Sequence, residues 1–98
     1  VEWSELCKCI SVILQKTRMR ILELLKDRWM TIPELIDELK ISRNLFAYHI
    51  SILEHVGLLK KKYEVRDKKI VLLLSANKDR INEIINEFRE RVLKRLEG

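Results

Sequence analysis

The sequence predicts one mainly α-helical domain carrying a small β-hairpin, in the order helix, helix, helix, helix, strand, strand, helix. Apolar residues recur at the helical period from Trp3 to Val56 and again from Ile81 to Leu96, while after Gly57 they alternate and then run continuously. The 98 residues leave room for one domain with one modest core. One proline and two glycines among 47% apolar and 36% charged residues describe a folded chain of dense secondary structure without flexible linkers.

In the first helix Trp3, Leu6, Ile10, Ile13 and Leu14 form the apolar stripe, and Ser4 or Glu2 can support its start. Cys7 lies nearer that stripe than Cys9, which makes Cys7 the expected small buried hydrophobe. A second helix runs from about Thr17, whose hydroxyl can cap it, through Ile21, Leu22, Leu24 and Leu25 to Lys26 or Asp27. Trp29 and Met30 read as a short extended link. Thr31 caps a third helix ending near Leu39, with Pro33 in its first turn and Glu34 at the capping-box position. Lys40 and Ile41 make a short turn, Ser42 caps a fourth helix from about Arg43 to Val56, and Gly57 stops it in the left-handed conformation. Leu58 to Val65 and Ile70 to Leu74 read as strands, joined by the polar loop Arg66, Asp67, Lys68 and Lys69. Ser75 or Asn77 opens a last helix with Ile81, Ile84, Ile85, Phe88, Val92 and Leu96 on one stripe.

The net charge of +5 favours a polyanionic partner, nucleic acid or an anionic membrane surface. No apolar run approaches the roughly 20 residues that span a bilayer, and the start lacks the basic-then-apolar layout of a signal peptide, so an intracellular, cytoplasmic protein without a membrane partner is expected. Abundant charge, isoleucine and leucine with a single glutamine lean toward a hyperthermophile's usage, where intracellular disulfides occur.

Two short helices joined by a tight turn and followed at once by a basic hairpin match a winged helix-turn-helix in order and spacing. Steps of 100° along the fourth helix place Phe46, His49, Ile50, Leu53 and Val56 on one side and Asn44, Ala47, Tyr48, Ser51 and His55 on the other. Ala47 and Ser51 are small enough for close approach to a groove. Arg43, Asn44 and Tyr48 carry donors for base edges or phosphates, Arg43 suiting guanine and Asn44 adenine. The plainer alternative is a solvated polar helix face. From Lys60 to Lys69 six cations (Lys60, Lys61, Lys62, Arg66, Lys68, Lys69) stand against Glu64 and Asp67. Such a hairpin can lie along a phosphate backbone, and the same lysines can guard a strand edge against aggregation. With Ser42 and His55 near phosphate, the candidate interface to double-stranded DNA comprises Ser42, Arg43, Asn44, Ala47, Tyr48, Ser51, His55, Lys60, Lys62, Arg66, Lys68 and Lys69.

The run from Lys16-Thr17-Arg18-Met19-Arg20-Ile21-Leu22 to Leu25, and the run Tyr48-His49-Ile50-Ser51-Ile52-Leu53-Glu54-His55-Val56-Gly57-Leu58-Leu59 after Ser42, resemble the ArsR-type winged-helix regulators. The resemblance covers roughly residues 16 to 75 and extends to small proteins encoded by archaeal viruses. It implies a dimeric repressor that releases DNA when an effector binds, a recognition helix using Arg43, Asn44, Ala47, Tyr48 and Ser51, and a wing near Arg66 to Lys69. Many members respond to metals. The family's Cys-x-Cys site in the first helix of the helix-turn-helix has no counterpart in Pro33 to Leu39, and its histidine site on the last helix has none in residues 77 to 98. No metal or other cofactor is therefore expected.

Cys7 and Cys9 stand two residues apart, so on a helix their thiols diverge and cannot chelate one ion. If the first helix lies beside a two-fold axis, one of them can pair with its symmetry mate in an intersubunit disulfide; a free thiol and a metal- or redox-responsive repressor are the other readings. His49 falls on the inward face as a hydrogen-bonded core histidine. No arrangement of nucleophile, base and carboxylate emerges, so no enzyme is expected. The last stripe is longer than a small core covers, and the terminal helices (about 3–15 and 77–97) are expected to form a homodimer surface. Such a dimer presents two recognition helices about 34 Å apart to a palindromic site. A module that binds another protein through the same surfaces is the alternative from a different class.

Overall fold

The computed structural model describes all 98 residues, Val1–Gly98. Five helices and three strands follow one another as α1 (Trp3–Ile13), α2 (Lys16–Leu24), β1 (Met30–Thr31), α3 (Ile32–Leu39), α4 (Arg43–His55), β2 (Leu59–Arg66), β3 (Lys69–Ala76) and α5 (Lys78–Glu97). The strands form one antiparallel sheet in the order β1-β3-β2. No helix is long and apolar enough to cross a membrane.

Local capping accounts for most of the helix ends. Thr31 and Glu34 close a reciprocal capping box, the Glu34 N–H donating to Thr31 Oγ1 at 3.3 Å and the Thr31 N–H to Glu34 Oε1 at 3.1 Å. Hydrogen bonding to Thr31, and then the charge of Arg66, hold the Glu34 carboxyl below its ordinary range. Ser42 accepts from the Leu45 N–H, and Asn77 from that of Arg80. Ser75 is thereby excluded as the last cap; its hydroxyl donates to the carbonyls of Leu25 and Arg28 and ties β3 to the end of α2. Lys40 (φ 54) and Gly57 (φ 76) adopt the left-handed conformation that ends α3 and α4.

Three expectations need correction. The cap of α2 is Gln15, whose side chain accepts from the Arg18 N–H at 2.8 Å; the helix starts a residue earlier than expected and Thr17 lies within its first turn. The link at Trp29 and Met30 contains a strand, because Met30 and Thr31 pair with Leu74 and Leu73 of β3. The inward face of α1 runs through Leu6, Cys9, Val12 and Ile13, so Cys9 is buried, Cys7 is only half-buried and Leu14 is 67% exposed. Helix α1 is apolar on more than one side, and packing between α2 and α5 selects which side turns in.

The core joins Leu6 and Ile13 of α1, Ile21, Leu22 and Leu25 about α2, Leu35 of α3, Leu53 of α4, Leu58, Leu74 of β3 and Ile84 of α5. Against it Trp3 stacks on Phe88 at 5.7 Å between ring centroids, and the Arg95 guanidinium lies 4.3 Å above the Trp3 ring. In α5 only Ile84 is buried; Ile85, Leu93 and Leu96 are exposed along the expected stripe and beside it.

Candidate nucleic-acid interface

Helices α3 and α4, joined by Lys40 to Ser42, form the helix-turn-helix. Leu35 and Leu53, both wholly buried, anchor its two helices to the core. Along α4 the division into two faces follows the helical period. Phe46, His49, Ile50 and Leu53 are buried, whereas Arg43, Asn44, Ala47, Tyr48, Ser51 and His55 are exposed. Ser42, at the cap, is exposed with them. Tyr48 is 58% exposed, its ring edge against His49. Leu45 is exposed on the same helix and belongs to neither of the two faces that the helical period separates. On this outer face Ser42 caps the helix and Ser51 Oγ donates to the Tyr48 carbonyl at 3.3 Å, while the polar groups of Arg43, Asn44 and Tyr48 make no hydrogen bond within the chain.

His49 is held by a residue 31 positions away. Arg18 Nη1 donates to His49 Nδ1 at 3.1 Å, and Arg18 Nε donates to the Val12 carbonyl at 2.8 Å. A guanidinium has no acceptor, so Nδ1 is the unprotonated nitrogen. Burial, and then the Arg18 charge, lower the His49 pKa below its ordinary 6.5, keeping the ring neutral at neutral pH. One arginine therefore clamps the end of α1 and the inner face of α4 to α2. The Thr17-Arg18 motif was legible in the sequence, but its partner was not.

The wing is a hairpin whose ladder runs without a break from Leu59↔Ala76 to Arg66↔Lys69. Arg66 and Lys69 are thus strand residues, and the expected four-residue loop shrinks to Asp67 and Lys68. Both have positive φ, 50° and 64°, as a two-residue hairpin turn whose twist matches the strands requires. The six wing cations are not equivalent. Lys61 pairs with Glu54 of α4 at 3.1 Å, Lys62 with Glu64 at 3.8 Å, and Arg66 with Glu64 at 3.3 Å and Glu34 of α3 at 3.9 Å. Lys62 also lies 4.6 Å above the Trp29 ring. Lys60, Lys68 and Lys69 are exposed and have no carboxylate partner. The unpaired positive charge is thereby concentrated at the hairpin tip and at the root of β2.

Both cysteines are free thiols, and no three His, Cys, Asp or Glu side chains converge in a geometry that holds a metal ion. Every buried side-chain nitrogen and oxygen has a hydrogen-bond partner.

The family described as Helix-turn-helix domain matches residues 13–62, half of the chain. No curated protein matches. Among solved structures, an ArsR-like transcriptional regulator from Rhodococcus sp. RHA1 is similar over 97% of this chain and 85% of its own, with a TM-score of 0.79 and 22% identity. HlyU from Vibrio cholerae is similar over 88% of this chain and 90% of its own, with a TM-score of 0.65 and 20% identity. A possible transcriptional regulator from Methanosarcina mazei is similar over 99% of this chain and 88% of its own, with a TM-score of 0.60 and 17% identity. At these identities the likeness is one of fold, and it spans the terminal helices as well as the central motif.

Proposed function

The chain belongs to the helix-turn-helix domain family and has the ArsR-like winged fold of a DNA-binding transcription regulator; from that premise we propose that it binds a palindromic operator as a homodimer. In this reading α4 enters the major groove through Arg43, Asn44, Ala47, Tyr48 and Ser51, with Ser42 and His55 near phosphates. Lys60, Lys68 and Lys69 approach the backbone from the wing, with Lys62 and Arg66 beside them. The observation that carries it is the outer face of α4, exposed along its length, together with a hairpin tied to α4 through Lys61 and Glu54 that carries three lysines without carboxylate partners, Lys60, Lys68 and Lys69. Arg43 and Asn44 supply the bidentate groups that distinguish guanine and adenine edges.

The dimer is supported by apolar surface that one chain leaves uncovered. Ile85, Leu93 and Leu96 of α5 are exposed, as is Leu14, while Trp3, Cys7 and Ile10 of α1 are only partly covered. A two-fold axis through this surface covers both stripes and sets two copies of α4 against successive major grooves. Since Cys9 is buried in the core, Cys7 is the thiol able to face a partner copy. Selection of bound sequences from a random DNA pool tests the proposal. Enrichment of an inverted repeat with half-site centres about 10 base pairs apart, or a multiple of that, is expected. Equal recovery of all sequences refutes specific reading, and a single enriched half-site refutes the dimer.

A further inference from the structure

A cleft of about 320 Å³ opens where α2 meets the start of α5. Its floor is apolar: Ile13 at the end of α1, Met19 and Leu22 of α2, Ala76 at the end of β3, and Ile81 and Ile85 of α5. Ile13, Leu22 and Ala76 are buried, Met19 and Ile81 are half-buried and Ile85 is exposed, so the apolar lining runs from the core out to the mouth. Its size and composition are those of a small-molecule site, a concave apolar surface with a few polar groups. Ile85 also belongs to the surface offered to a second copy, but the floor beneath it is recessed, and a recess admits a slender ligand more readily than the flat stripe of a helix.

The charged groups of the cleft set the polarity of its ligand. Lys26 follows the end of α2 and Lys78 begins α5, and the 2.6 Å pair between Lys78 and Asp27 draws these two segments together, so both lysines stand at one end of the cleft. Lys26 has no carboxylate partner. The Lys78–Asp27 pair is exposed, and a carboxylate from a ligand can replace Asp27 at little cost. Glu23 is the one carboxylate in the lining. Two cations against one anion, beside an apolar floor, suit a ligand with a hydrocarbon body and a negative head, along which the lysine stems can also lie.

Resting on the reading of α4 as the DNA-reading helix, we propose that this cleft binds a medium-chain fatty acid, its carboxylate at Lys26 and Lys78, and that occupancy weakens the grip of α4 on DNA. A methylene takes up about the 30 Å³ of one water, so the cleft holds a chain of about ten carbons. The path to α4 starts at the floor. Ile13 and Met19 line the cleft, and their sequence neighbours Val12 and Arg18 form the clamp: Arg18 donates to the Val12 carbonyl at 2.8 Å and to His49 of α4 at 3.1 Å. A chain wedged between α2 and α5 displaces α2, and the clamp passes the displacement to the inner face of α4. Ligand and operator then weaken each other by the same factor.

Titration calorimetry of the full chain with hexanoate, octanoate and decanoate, kept below micelle formation, tests the site without DNA. Affinity should rise about fourfold for each methylene added. Lys26→Gln should weaken decanoate roughly threefold and leave decanol unchanged, whereas Asn82→Trp, at an exposed position on the rim, should block both. Fluorescence anisotropy on the selected duplex should then show decanoate lowering operator affinity about fivefold or more in wild type and not in Asn82→Trp. A thermal melt checks both variants, and Lys26→Gln carries the comparison alone should the tryptophan chain not fold. Absence of decanoate binding, binding that neither variant alters, or an operator affinity that decanoate leaves unchanged overturns the proposal. If decanoate instead separates copies of the free protein in sedimentation, the cleft belongs to the contact between copies and the proposal fails. A chain that binds decanoate with these preferences but binds no duplex supports the site and refutes the reading of α4.

Discussion

Pairing within the wing predicts which lysines bind phosphate. Lys68 sits in the hairpin turn with no carboxylate partner, whereas Lys61 is held 3.1 Å from Glu54. A surface ion pair is worth about 0–1 kcal/mol, so Lys61 is free to swing away. Doing so, however, strips Glu54 of its partner beside the duplex, and the net neutralisation of phosphate is close to zero. Each phosphate contact contributes about 0.9 to the slope of log affinity against log salt, and a dimer has two wings, so Lys68→Ala should lower that slope by about 1.8. Between about 50 and 200 mM salt the wild-type affinity should then fall roughly twelvefold further than that of the variant. Lys61→Ala should leave the slope within about 0.5 of wild type. Fluorescence anisotropy titrations of a labelled operator at four or five salt concentrations measure both. Equal slopes for wild type and Lys68→Ala, or an equal fall for Lys61→Ala, refute the reasoning that pairing in the free protein sorts the wing's charges.

Three other outcomes follow from the site and its supports. Tyr48→Ala and Asn44→Ala should narrow the gap between cognate and mismatched operators by about 1–3 kcal/mol, seen as broader selected motifs, without altering the salt slope. For His49 the folded pKa lies below the ordinary 6.5, so the unfolded chain binds the proton more readily. Stability is full above pH about 6.5 and declines as pH falls through the folded value; chemical denaturation at stepped pH should show this decline in wild type and lose it in His49→Asn, which keeps an acceptor for Arg18. Gly57→Ala meets no atom within 4 Å, so its whole cost is the positive φ of 76°; a loss of roughly 1–2 kcal/mol, or about 5–10 °C in melting temperature, is expected by calorimetry.

Features decided within a few residues were legible in the sequence. The capping box at Thr31 and Glu34, the cap at Ser42 and the stop at Gly57 each involve partners no more than four positions apart, and each was placed correctly. Strand β1 was not legible, because two residues carry no period and Met30 and Thr31 become a strand only when β3 lies beside them. The orientation of α1 failed for a related reason. With Cys7, Cys9, Val12 and Leu14 scattered about the axis, more than one face is apolar, and the choice among them belongs to α2 and α5.

The same distinction explains why the interface was half legible. The two faces of α4 follow from one helix's own geometry, so Arg43, Asn44, Ala47, Tyr48 and Ser51 could be assigned to the outer face without knowing its surroundings. The wing's charge is different, since a count from Lys60 to Lys69 sees Glu64 and Asp67 but not Glu34 or Glu54, which arrive from α3 and α4. Those two carboxylates remove Lys61 and Arg66 from the free cations, and Asp67, which the count subtracts, pairs with no cation. The tertiary fold therefore redistributes the wing's positive charge: it neutralises Lys61 and Arg66 against carboxylates of α4 and α3, and leaves the unpaired charge on Lys60 at the root of β2 and on Lys68 and Lys69 at the hairpin tip.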